Sequence, residues 1–139
     1  FDLKEKLKKH LAQQYFVEDV GATEHDPADD YPDFASRGAE AVAGSTDTLG
    51  IFLCGSGMGM DIVANKVKGI RATIAHTEDA ARYARDHDDV NVITLAADSL
   101  DEEKALAIAN AFIHTPFSGE EKHARRLEKL RSIEEKYMR

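Results

Sequence analysis

Tryptophan is absent and cysteine occurs once, so no internal disulfide can staple this chain and its stability must come from a packed core. Proline is also scarce, with three residues in the whole sequence. No apolar run approaches the ~20 residues that a membrane-spanning helix needs. Basic residues are outnumbered, 18 Lys and Arg against 26 Asp and Glu, and the net charge of −8 argues against nucleic acid or an anionic membrane as partner. The opening segment FDLKEKLKKHL is amphipathic and lacks the apolar centre of a signal peptide. With a lone cysteine and no targeting signal, a reducing cytoplasm is the expected setting. What remains is an ordinary globular composition, 42% apolar and 32% charged over 139 residues, enough for one domain with one core, 1–139.

Leu3, Leu7 and Leu11 recur every fourth residue and predict an opening helix. YFVEDVG (15–21) reads as a strand closed by glycine, followed by a polar loop. Asp30 stands as cap of a helix that ends near Gly44. Three further strands are expected, ending at Cys54 and spanning 69–76 and 90–97. Helices alternate with them: 61–66, one capped by Thr77 with Glu78 and Asp79 in its first turn, and DEEKALAIANAFIH. A long charged helix closes the chain from 118, with Leu127, Leu130, Ile133 and Tyr137 forming a narrow stripe suited to a partner subunit or to the chain's own core. This alternation predicts an α/β three-layer sandwich on a parallel sheet. A helix comes first where a strand ordinarily would, so a leading strand is expected to be missing from the sequence given.

The segment IFLCGSGMGMDIVANK (51–66) carries the strongest chemical signal. A buried strand ends in Cys54 and passes through Gly55, Gly57 and Gly59 into a helix. Ligands of parallel α/β sheets bind at such carboxyl ends, where the amides of residues 56 to 60 would point outward unpaired. The spacing fits neither a Walker phosphate loop nor the dinucleotide fingerprint. A helix N-terminus beside a thiol favours its thiolate, which can serve as nucleophile or as base, and Ser56 could donate to an oxygen gaining charge. A bare turn with a small buried thiol is the alternative.

RDHDDVN (85–91) flanks His87 with Asp86, Asp88 and Asp89, which favours an imidazolium acid, or marks a solvated helix end. The other histidines, among them His123, are expected at the surface. Lys122 and Arg126 lie four apart on one helical face and could grip a phosphate, or pair with Glu120, Glu121 and Glu128. No cluster has convincing zinc spacing, so no metal is predicted.

Taken together, LCGSGMGM, IVANKVKGIRA, RDHDDVNV, TPFSG and KHARRLEKLRSIE resemble the type B ribose 5-phosphate isomerases and the related galactose 6-phosphate isomerase subunits, over essentially the whole chain. The resemblance implies a five-stranded flavodoxin-like (Rossmann-like) sandwich and a homodimer, possibly a tetramer, whose active sites draw on both subunits. It implies cofactor-free aldose–ketose isomerisation of a sugar phosphate, most simply ribose 5-phosphate, through an enediolate. Carried over by position, Cys54 is the base and Gly55, Ser56, Gly57, Met58 and Gly59 form the anion hole. His87 helps to open the furanose ring, Lys122 and Arg126 hold the phosphate, and the helix within 118–139 docks on the partner. Asp88 stands where relatives usually carry Asn, and Asp98 where many carry a phosphate-contacting Arg. A catalytically silent sugar-phosphate-binding subunit and a covalent thiol enzyme are the alternative readings.

Overall fold

A computed structural model of the chain describes residues 1–138. Helices α1 (Asp2–Leu11) and α2 (Tyr31–Ala43) come first, then β1 (Gly50–Cys54), α3 (Met58–Ala64) and β2 (Ala72–Ile74). Helix α4 (Glu78–Asp88), β3 (Val92–Ala96), a single 3-10 turn at Ala97–Ser99, α5 (Glu102–His114) and α6 (Glu121–Tyr137) complete the order.

All five residues of β3 are buried, the pattern of a strand covered on both faces, and β3 is accordingly the central strand. The sheet is parallel with order β1-β3-β2, Gly50 to Cys54 running beside Val92 to Ala96 and Ala72 to Ile74 beside Val92 to Thr94. Side chains alternate across it. Ile93 and Leu95 point into a core with Leu7, Ala105, Ile108 and Phe112, whereas Val92 and Phe52 point into a second one with Ala39, Val42 and Ala64. The result is the expected three-layer α/β sandwich, with α1, α4 and α5 on one face and α2 and α3 on the other.

The predicted strand 15–21 does not form. Phe16 is 97% exposed, and the segment is irregular. A strand exists by virtue of a neighbour's hydrogen-bond ladder, whatever its own apolar alternation. Among the described residues no strand lies beside this segment, and none lies on the edge of β1 away from β3. Lys4 and Lys8 hold it instead, each reaching Asp19 Oδ2 at 3.0 Å. The sheet thus has three strands among the described residues, where four were read from the sequence and five were implied by the resemblance.

The local signals fare better. Thr77 Oγ1 accepts from the Ala80 amide at 3.1 Å and Asp101 Oδ1 from the Lys104 amide at 2.7 Å, both N-caps. Asp30 occupies the N-cap of α2 without a side-chain bond. Helix α3 starts three residues earlier than read, at Met58, because left-handed Gly57 (φ 83°) turns the chain directly into it. No helix of the described residues is long and apolar enough to cross a membrane.

Candidate active site

The turn after β1 gathers one group of sequence-predicted residues. Cys54 is half-buried against the α2–α3 core, and the Gly57 amide donates to its Sγ at 3.1 Å. The Met58 amide donates to Ser56 Oγ at 3.2 Å, which leaves the exposed Ser56 hydroxyl hydrogen free to point at a ligand. Amides 57 and 58 are therefore engaged within the turn, but those of Ser56, Gly59 and Met60 find no acceptor among the described residues. Gly59 is packed under the Tyr31 ring, whose nearest atom would stand 2.7 Å from a Cβ. On the other flank the Asp98 amide donates to Gly55 O at 3.1 Å and the Asp98 carboxylate lies against Gly55. The Met58 side chain is 62% exposed, as is Ile62 at 61%, one turn further along α3.

A second group forms at the other end of the molecule. His87 lies on the C-terminal turn of α4, stacked on Tyr83, with ring centroids 3.9 Å apart and planes 14° from parallel. The ring of His123 from α6 also meets it, with centroids 4.4 Å apart. The surface placement expected for His123 is wrong: it is only 4% exposed, because α6 packs it against α4. Lys122 and Arg126 flank it on the exposed side of α6, and neither forms an ion pair among the described residues. Nor does Asp88, which is exposed.

The rest of RDHDDVN is structural. Asp89 adopts a left-handed conformation (φ 46°), and its carboxylate takes Arg85 Nη1 at 2.8 Å and Arg71 Nη2 at 3.4 Å. Asn91 bridges the Arg71 amide and Gly69 O. These bonds lock the elbow from α4 into β3 and so fix where His87 stands.

The two groups are not brought together within one chain. Cys54 ends β1, whereas α4 leaves the same end of the sheet after β2 and runs back to the start of β3. At about 3.3 Å per strand residue and 1.5 Å per helix residue, His87 is displaced from the Cys54 turn by about 15 Å along the strand direction, a full strand length.

A model of the ribose/galactose isomerase family matches residues 1–130. The chain belongs to the ribose/galactose isomerase family. Within it, the chain is 40% identical over 134 residues to a probable ribose-5-phosphate isomerase B of Mycoplasma pneumoniae, covering 96% of this chain and 88% of that protein. The structure of ribose-5-phosphate isomerase B from Mycoplasma genitalium with bound ribulose-5-phosphate superposes with a TM-score of 0.92 at 37% identity, covering 97% of this chain and 90% of that one. The type B ribose 5-phosphate isomerase of Trypanosoma cruzi gives a TM-score of 0.91 at 40% identity, covering 99% and 91%.

Tyr83, Ser118 and His123 gather around His87, and reading the sequence missed them. The one available signal was the four-residue spacing of Tyr83 and His87, which sets their rings on the same helical face.

Proposed function

We propose that this chain interconverts ribose 5-phosphate and ribulose 5-phosphate as a homodimer, each active site taking the Cys54 turn from one subunit and His87, Lys122 and Arg126 from the other. The carrying observation is the pairing of family membership with two half-sites a strand length apart. The apolar residues left exposed fit the same picture: Met58 and Ile62 beside the turn, and Leu130, Ile133 and Tyr137 on α6, are available to a second copy.

In this reaction the Cys54 thiolate takes the proton from C2 of the open aldose and returns it to C1. The negative charge that develops on the adjacent oxygens meets the free amides of Ser56, Gly59 and Met60 and the Ser56 hydroxyl. Each well-aimed donor is worth ~3 kcal/mol, and a positioned base about 10²–10⁴-fold in rate. Lys122 and Arg126 of the partner hold the phosphate, and the partner's His87 assists ring opening. A half-buried free thiol suits a reducing compartment, the cytoplasm.

The test is turnover of ribose 5-phosphate by wild type and by Cys54→Ala. Equal rates would remove Cys54 as base, and calorimetric binding without turnover would select a silent binding subunit.

A further inference from the structure

We propose that His123 is a positioning residue for His87: together with Tyr83 it clamps the imidazole edge-out, Nδ1 inward and Nε2 toward the substrate. The proposal rests on the reading of His87 as the ring-opening group.

His123 is the only buried residue of α6, a helix that otherwise lies largely in solvent. A leucine would fill an apolar socket at least as well, so the choice of an imidazole there calls for a use of its polar edge and its flat face. Both are used. Nδ1 of His123 is bonded to Ser118 Oγ at 2.8 Å, and Ser118 Oγ also accepts from the Glu120 amide at 3.2 Å. The Ser118 amide in turn donates to the carbonyl of Asp86, the residue next to His87, at 3.1 Å. The His123 ring meets the His87 ring with centroids 4.4 Å apart and planes 57° apart. The wall is therefore tied to the backbone of the group it supports.

Tyr83 cannot supply this restraint by itself, since it is 60% exposed and a ring on a helix surface is free to change rotamer. Between the two walls His87 has its Nδ1 shut away from solvent with no hydrogen-bond partner, the Asp86 carboxylate standing 3.4 Å off. The nitrogen across the ring is left to face outward. Opening a furanose requires a proton to leave the anomeric hydroxyl while one reaches the ring oxygen. A group serving that step must keep its orientation to within about 10–20°.

The experiment separates ring opening from enolisation. Ribose 5-phosphate is largely a closed furanose, whereas ribulose 5-phosphate cannot close a five-membered ring because its O5 is esterified. Isomerisation of the first is compared with exchange of the C1 hydrogen of the second in D₂O, followed by NMR. His123→Ala is expected to lower kcat on ribose 5-phosphate about 10- to 100-fold with KM little changed, and to leave the exchange rate within about twofold. His123→Phe, which keeps a flat wall, is expected to recover most of the loss. If His123→Ala fails to fold, Ser118→Ala, which unties the ring without removing it, is expected to lower isomerisation but not exchange. Equal loss in both assays, or loss in neither, overturns the proposal. His87→Ala and Cys54→Ala keep the readings apart. The first should lose isomerisation alone, and no loss there refutes the ring-opening role and the proposal with it. The second should lose both assays, and its failure to do so indicts the base and leaves the His123 comparison intact.

Discussion

The amide of Gly57 points its hydrogen at Cys54 Sγ, 3.1 Å away, closing a ring three residues long around the only thiol in the chain. Gly57 itself then adopts a left-handed backbone, φ 83°, that turns the chain into α3. Any side chain there strains the turn by about 1–3 kcal/mol, although the space beside it is open enough to admit a methyl group. Gly57→Ala is therefore expected to fold with reduced stability and to lose activity by re-aiming the amides that follow it at the start of α3. Steady-state rates on ribose 5-phosphate should fall about 10²–10³-fold, and a wild-type rate would show that the aim of those amides is not needed.

Subunit mixing tests the shared site. Cys54→Ala and His87→Ala are each expected to be nearly inactive. Unfolded together and refolded at equal concentration, half of the dimers are mixed and each mixed dimer holds one intact site. About a quarter of wild-type activity should return. A site contained in one chain predicts no recovery.

Arg126 and Lys122 are expected to act on substrate affinity. A charge-assisted hydrogen bond is worth about 1.5–3 kcal/mol, so Arg126→Ala should raise KM roughly 10- to 100-fold. Lys122→Arg restores a bidentate fork and should lower KM. Initial-rate measurements decide both, and a KM unchanged in Arg126→Ala would place the phosphate elsewhere.

Asp61 makes stability depend on pH. Burial raises its carboxyl above the ordinary 3.8, and the hydrogen bond from the Thr94 hydroxyl only partly offsets this. A raised folded-state pKa means that protons bind the folded chain more tightly, so the associated stability is present below the unfolded value and lost as pH rises through the folded one. Asp61→Asn keeps an acceptor for Thr94 and removes the charge. Its Tm should exceed that of wild type at pH 7, with the gap closing as pH falls toward about 4. A gap independent of pH would contradict this origin.

The turn at Cys54 and the cap at Thr77 were legible because they are local, a few residues dictating their own geometry. The strand expected at 15–21 was not, since Tyr15, Phe16 and Val17 are residue types favoured in strands but a ladder belongs to two segments. The order β1-β3-β2 was equally hidden, because crossovers of many residues set which strands meet. His123 shows the limit most clearly. Its neighbours Lys122 and Arg126 are charged and its helix is polar, so nothing nearby in sequence announces that the packing of α6 on α4 buries it.

In the proposed dimer, with thiol and imidazole at opposite poles of the sheet, damage to the protein would be inherited unevenly. A chain spoiled at one pole can still lend its sound half to a companion. A chain spoiled at both poles instead disables every site it enters, so an organism with one good and one doubly defective gene copy would lose more than half of its working centres.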